Sequence, residues 1–218
     1  MTIGIILLVL ASLEFLVGFR FIFTYQKGPT SLFFGLFCIG SAIYVGANGM
    51  GYTGWAVAPT VAERLAWAGG AIATAFFLPF SMSFPFARQT IPTLLAVSLW
   101  PIAIFVPSFL FTGALITTEK NIPVFGSGHL TSAGPYFALF AVFLAVYWTW
   151  SLANLVGSFI RSDGLHRWQI KIVSLGTLAS LLVTVFFDVY VPLTTVSRLG
   201  YVGSLATSAW LGATAYIL

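Results

Sequence analysis

Apolar residues along this chain come in seven runs of about twenty, separated by short polar or Pro/Gly-rich stretches. Runs of this length cross a hydrocarbon core of roughly 30 Å as α-helices, whereas the strands of a membrane barrel would alternate apolar and polar residues. The pattern therefore predicts an all-α, polytopic membrane protein built as a seven-transmembrane helix bundle. The predicted spans are residues 3–25, 31–51, 61–86, 91–112, 134–158, 168–190 and 196–218.

The fourth connection is the longest, and it reads GALITTEKNIPVFGSGHLTSAG. Pro123, Gly126 and Gly128 supply its turn chemistry, and alternating apolar residues flank them. Short alternating segments joined by such residues are typical of a β-hairpin. We therefore expect a small hairpin between the fourth and fifth spans.

Composition agrees with the membrane prediction. Hydrophobic residues make up 59% of the 218 residues, charged residues make up 6%, and the mean hydropathy is +1.01. A soluble domain is about a quarter charged. The N-terminus lacks a positive region and a cleavage site, so its apolar run is expected to be a retained helix. The single cysteine, Cys38, offers neither a disulfide nor a thiolate metal site.

The distribution of Lys and Arg predicts the orientation of the bundle, because these residues favour cytoplasmic loops. The odd connections and their flanks hold six of them, Arg20, Lys27, Arg88, Arg161, Arg167 and Lys171. The even connections hold only Arg64, Lys120 and Arg198. We therefore expect the N-terminus outside and the C-terminus in the cytoplasm, in the inner (plasma) membrane. Anionic lipid accounts for the net charge of +4, and no nucleic-acid partner is expected.

The last span ends at Leu218 without a basic cluster or a polar tail. Residues 196–218 are just long enough, at about 1.5 Å per residue, to cross the bilayer. We therefore expect residues 1–218 to form a single membrane domain cut from a longer protein, before a cytoplasmic output domain.

Small residues recur every four positions in the last two predicted helices, a spacing that allows membrane helices to pack closely. One row is Gly176, Ser180, Thr184 and Asp188, and the other is Gly200, Ser204, Ser208 and Gly212. Helix packing is the simpler interpretation of both rows. The alternative is that the first row, which becomes more polar toward Asp188, lines a cavity open to the outside.

Glu14 lies near the middle of the first span, where a charged carboxylate costs about 2.5 kcal/mol or more. Such a group usually faces the bundle interior, either as a hydrogen-bonded structural residue or as a ligand or proton site. Asn48 is a possible polar partner. Trp67 lies near a boundary, where tryptophan is most often an interfacial anchor but could also contact a ligand. The candidate ligand-binding residues are Glu14, Asn48, Trp67, Thr184 and Asp188.

The polar residues do not indicate a cofactor, a metal site or catalysis. A retinal Schiff base needs a buried lysine, but Lys27, Lys120 and Lys171 lie outside the last helix. Haem ligation needs facing histidines, but His129 and His166 fall in loops on opposite sides. Protease, hydrolase and P-loop motifs are also absent from the sequence.

Two segments of the sequence are similar to a known family. They are ERLAWAGGAIATAFFLPFSMSFP (63–85) and the stretch from 147 to 193, which includes an Arg-x-Gln step at Arg167 and Gln169. Both resemble the N-terminal seven-transmembrane region of bacterial and archaeal histidine kinases. The resemblance implies a membrane sensor module that passes an extracellular or membrane-borne stimulus, for instance a small molecule or lipid, to a cytoplasmic domain through its last helix. It also implies a possible homodimer through downstream domains.

Two other functions remain open at this stage. A seven-helix transporter would be consistent with three plus one plus three spans, although spans 1–3 and 5–7 share no recurring Pro motif. A purely structural assembly subunit is the second alternative.

Overall fold

The computed structural model describes residues 2–23, 28–53, 59–85, 90–112, 114–118, 131–190 and 201–218. Within these ranges it leaves out the side chains of 59–60, 116–118, 131–133 and 188–190.

Seven α-helices account for most of the described residues, and consecutive helices run antiparallel. They are α1 (Thr2–Phe23), α2 (Pro29–Thr53), α3 (Pro59–Ser83), α4 (Ile91–Phe111), α5 (Phe137–Arg161), α6 (Gly164–Thr184) and α7 (Tyr201–Ile217). A π-helical segment, Val185–Tyr190, continues α6. No sequence pattern predicted this segment.

The predicted hairpin is confirmed by two short antiparallel strands between α4 and α5. They are β1 (Ile116–Thr118) and β2 (Thr131–Ala133), with Thr117 opposite Ser132. The turn residues proposed from the sequence lie outside the described residues.

Every predicted span overlaps one helix, and at the α5–α6 connection both helices extend beyond their predicted bounds of 158 and 168. Ser162 and Asp163 alone separate the two helices, and both have extended backbones. Gly164 follows at φ +56°, a left-handed conformation that favours glycine, and α6 begins there. Residues 165–167, predicted as loop, therefore lie in the first turn of α6.

In the described part of the chain, α1 to α6 are long and apolar enough to cross a membrane. The structure describes α7 over 17 residues, or about 25 Å at 1.5 Å per residue. In α2 and α3, 61% and 72% of the apolar stretch is buried inside the bundle, against 22–28% in the other four. The bundle is therefore centred on α2 and α3.

Glycines bring α1, α2 and α3 into backbone contact. A Cβ on Gly18 would lie 2.7 Å from the Gly35 carbonyl oxygen, and a Cβ on Gly4 would lie 2.8 Å from the Gly49 oxygen. The two glycines on each helix are fourteen residues apart, as an antiparallel pair requires. Real Cβ atoms do not approach other atoms this closely, so these positions accept only glycine without movement.

The same kind of contact joins α2 to α3. A Cβ on Gly40 would lie 2.5 Å from the Ala73 nitrogen, and a Cβ on Gly69 would lie 2.5 Å from the Tyr44 nitrogen. These two contacts are four residues apart on each helix. We refer to the α1–α2–α3 unit joined in this way as the glycine frame.

Two aromatic clusters fill the space around the glycine frame. One packs side chains of α2 and α3 against α7, and it includes Phe33, Phe34, Phe37, Phe77, Phe80 and Trp210. The other joins α3, α4 and α5, and it includes Phe105, Phe109, Phe140, Phe143 and Tyr147.

Candidate functional site

Glu14 is a buried acid at the junction of α1, α2 and α7. Its side chain is 6% exposed. Its Oε1 accepts a hydrogen bond from the Ser208 hydroxyl of α7. Its Oε2 is buried without a hydrogen bond of normal geometry to the described residues. The buried Ser41 hydroxyl of α2 lies close enough to interact with the carboxyl, again without a bond of normal geometry. Among the described residues, the carboxyl therefore has a hydrogen bond at one of its two oxygens only.

A second polar contact joins α2 to α7 one turn away. The side-chain amide of Asn48 donates a hydrogen bond to the Ser204 hydroxyl at 2.9 Å. Ser204 and Ser208 are both buried, so the two bonds form one seam between α7 and the glycine frame. We call these two residues the Ser204–Ser208 row.

On its other side, α7 contacts α6 through hydroxyl groups. The hydroxyls of Thr184 and Thr207 are 3.2 Å apart, and the Ser180 hydroxyl donates to Thr207 at 3.4 Å. Thr207 also donates to the Gly203 carbonyl within α7 at 3.0 Å. We call Gly203 and Thr207 the Gly203–Thr207 row.

The two rows face different neighbours because consecutive residues on an α-helix are about 100° apart. Ser204 and Ser208 therefore face α1 and α2, while Gly203 and Thr207 face α6. Helix α7 lies between two polar seams. Their hydrogen bonds, as described, join hydroxyl, amide and carbonyl groups, except for the one to the Glu14 carboxyl.

Trp210 fills the space between these seams with apolar contacts. Its indole lies 5.2 Å from the Phe37 ring and 5.5 Å from the Phe77 ring, both edge-on. A Cβ on Gly176 of α6 would collide with this indole. The glycine therefore makes room for Trp210, which is the physical reason for a small residue at this position.

The predicted last-helix row departs from the structure at Gly212. This glycine is exposed, and a Cβ on it would meet no atom within 4 Å. A four-residue step advances a helix by about 40° more than one full turn, so a long row drifts away from its neighbour. The buried positions instead continue through Leu211 and Thr214. Gly200 lies outside the described residues.

The remaining predicted ligand-binding residues do not lie in the same seam as Glu14 and Asn48. Trp67 stacks on Phe109 and meets Phe137 and Phe140 edge-on, so it belongs to the α3–α4–α5 aromatic cluster. Thr184 contacts α7 from the α6 side. Asp188 falls in the π-helical segment, and its side chain lies outside the described ones.

The electrostatic setting of Glu14 follows from the sequences of its neighbours. Neither α2 nor α7 contains an Asp, Glu, Lys, Arg or His residue. In the described residues there is no cluster of three or more His, Cys, Asp or Glu. The arrangement is suited to exchanging hydrogen bonds between helices, because its polar groups are hydroxyls, an amide and one carboxyl.

A comparison with protein families accounts for this architecture. The family model of the N-terminal 7TM region of histidine kinase matches residues 6–214. The chain belongs to this family. No curated protein matches the chain.

As a histidine-kinase 7TM region, the chain is a multi-pass membrane protein and a membrane sensor module, in agreement with the resemblance seen in the sequence. The match runs from α1 into the last turn of α7, so it includes both polar seams.

Several residues of the seams were not found from the sequence. Thr207 and Gly203 also have four-residue spacing, one position before Ser208 and Ser204, so a search of adjacent rows would have found them. Ser41 has no such signal, because it lies on a different helix from its partner. Only the arrangement of the bundle brings it to Glu14.

Proposed function

We propose that this 7TM region passes a stimulus to a cytoplasmic domain by moving α7 relative to the glycine frame. The observation that carries the proposal is the position of α7 between two polar seams. The helices of the glycine frame touch backbone to backbone, whereas α7 is held through side chains. These are the hydrogen-bonding groups of the two seams and apolar side chains such as Trp210, Leu211 and Tyr201.

The small free energy of interhelical hydrogen bonds supports the proposal that α7 moves. An interhelical hydrogen bond in a membrane contributes about 0.6 kcal/mol on average, so the few bonds holding α7 are worth a few kcal/mol together. A ligand that shifts a two-state equilibrium almost completely must supply about 5.5 kcal/mol of differential affinity. The hydrogen-bond part of the energy that holds α7 is therefore within the range that the differential affinity of a ligand can supply.

The proposed orientation has the N-terminus outside and the end of α7 in the cytoplasm of a plasma-membrane protein. Arg20 ends α1, Arg161 ends α5, and Arg167 and Lys171 lie in the first turns of α6. In an up-and-down bundle these residues lie at the same face as the end of α7. Basic residues favour the cytoplasmic face, which supports the orientation.

The proposed stimulus site is the carboxyl of Glu14, whose Oε2 lacks a hydrogen bond among the described residues, together with Ser41. Asn48 lies one turn away. A ligand that offers a hydrogen-bond donor would complete the partners of Oε2 and of the Ser41 hydroxyl. Because Ser208 holds the other carboxyl oxygen, such a ligand would act directly on α7.

A fusion protein tests the proposal. A dimeric histidine-kinase output domain is joined after Leu218, and its autophosphorylation is measured in membranes. We expect Ser208→Leu to change the output, because the larger side chain has no room beside Glu14. Gly212→Leu is the matched control, since it adds the same side chain to an exposed position four residues later on α7. The proposal fails if bulky residues in both rows leave the output unchanged.

A further inference from the structure

Gln169 connects the first turns of α6 to the last residue of α7. Its side-chain amide nitrogen donates a hydrogen bond to the Ile217 carbonyl at 2.9 Å. The last carbonyl groups of a helix lack partners within the helix, and a side-chain donor from a neighbour satisfies one of them. The bond lies at the opposite end of α7 from Gly203 and Ser204.

His166 orients the same amide. The His166 Nδ1 lies 3.2 Å from the Gln169 Oε1, one turn earlier on α6. With the oxygen of the amide occupied on this side, its NH₂ group is turned toward α7. The amide is therefore bound at both ends.

Arg167 makes the corresponding contact to α5. Its guanidinium lies over the Phe159 ring, 4.7 Å from the ring centre. Residues two apart on a helix point about 200° apart, so Arg167 and Gln169 face opposite neighbours. The Arg-x-Gln step thus contacts the end of α5 with its first residue and the end of α7 with its third.

We infer that Gln169 is a positioning residue that fixes the last turn of α7 relative to α5 and α6. The consequence goes beyond the proposed movement of α7. A displacement of α7 must either break the bond to Ile217 or carry the α5–α6 connection with it. The connection is then part of the output side of the module.

Spin-label distances test the structural part of this inference. Labels are placed at Ile160 and Tyr216, the last turns of α5 and α7, where the side chains are 73% and 91% exposed. The protein is residues 1–218 in lipid nanodiscs, in a Cys38→Ala background, because Cys38 is the only native cysteine. We expect one narrow distance distribution for the parent and loss of that narrow peak in Gln169→Leu.

Matched variants separate the hydrogen bond from a general effect of substitution. Gln169→Glu keeps an acceptor for His166 but has no donor for the Ile217 carbonyl, so it should behave like Gln169→Leu. Gln169→Lys supplies a donor and a positive charge near a helix C-terminus, and it should restore the narrow peak. Lys171→Gln, two residues away and exposed, should change nothing.

The same variants in the kinase fusion test the positioning role. We expect Gln169→Leu to change the autophosphorylation level and Gln169→Lys to restore it. An unchanged distance in Gln169→Leu would overturn the inference and leave the proposed function intact. A lost peak with unchanged output would support the positioning of α7 by Gln169 but overturn the assignment of the α5–α6 connection to the output side. If Ser208→Leu in the same fusion has no effect either, the proposed function fails separately.

Discussion

The glycine frame and the surroundings of α7 are two ways of packing membrane helices against each other. In the frame, backbone meets backbone, as at Gly69, where an added Cβ would lie 2.5 Å from a main-chain nitrogen. Around α7, side-chain ends meet each other: hydroxyls of α6 and α7, an amide with Ser204, and an indole over Gly176. Both regions use small residues, but for different contacts.

The difference shows which part of the bundle is able to change shape. A backbone contact allows one arrangement, because main-chain atoms in a helix cannot rotate away from the contact. A side-chain contact has several, because hydroxyls rotate and exchange partners at little cost. The frame is therefore the fixed reference, and α7 is the element whose position depends on conditions.

Substitution within the frame should give the largest loss of stability. Gly69→Ala puts a methyl group against the Tyr44 main chain, and we expect it to lower the free energy of unfolding by about 2 kcal/mol. Gly70→Ala is the adjacent control, because a Cβ there meets nothing within 4 Å, and it should stay within about 0.5 kcal/mol. Denaturant unfolding in detergent measures both. Equal effects would remove the distinction between the two regions.

Ser208→Ala should have the next largest effect. It removes the hydrogen bond to Oε1 of the buried Glu14 carboxyl, and we expect a loss of about 1.5 kcal/mol, near the upper limit for such bonds in membranes. Adding Glu14→Leu removes the unpartnered acid and should recover most of the loss. A double variant less stable than Ser208→Ala would show that the carboxyl stabilises the bundle in another way.

Gly176→Ala tests a contact between a side chain and a glycine rather than between two backbones. Its methyl group would displace the Trp210 indole, which Phe37 and Phe77 confine, at a cost of about 1 kcal/mol. Trp210→Phe in the same chain offers a smaller ring, so thermal unfolding should show a coupling between the two substitutions. Purely additive effects would contradict this contact.

Thr207→Val should have the smallest effect. It keeps the shape of the side chain but loses the bonds to Ser180 and Thr184, and we expect a loss of about 0.6 kcal/mol. Thr214→Val is the control seven residues later, since the buried Thr214 hydroxyl has no partner among the described residues. The control should be neutral or slightly stabilising in the same unfolding measurement. A larger loss in the control would mean that the hydroxyl seam contributes nothing.

Much of the fold was predictable from the sequence, because span length and hydrophobicity are properties of single segments. The hairpin was predicted from its turn residues, and the family from the resemblance of two segments. The contacts between helices were predictable only in part. Four-residue spacing identified Ser204 and Ser208 as sharing a face, but it extended that face to Gly212, which is exposed.

The glycine frame was missed for a physical reason. Gly4 and Gly18 are fourteen residues apart, as are Gly35 and Gly49, and a search for four-residue rows does not detect this spacing. A repeat of the same interval on two adjacent spans would have been a usable signal. The meeting of Glu14 with Ser41 gives no such signal, because it depends on how three helices are arranged in space.

Because its two rows contact different neighbours, α7 has a defined rotation about its own axis within the bundle. Each residue inserted after Leu218 would turn whatever is attached by about 100° relative to the bundle. The output of fusion proteins should therefore vary periodically with the number of residues at the junction, with similar values about seven residues apart. Varying the junction length thus makes the rotation of α7 measurable through the activity of the attached domain.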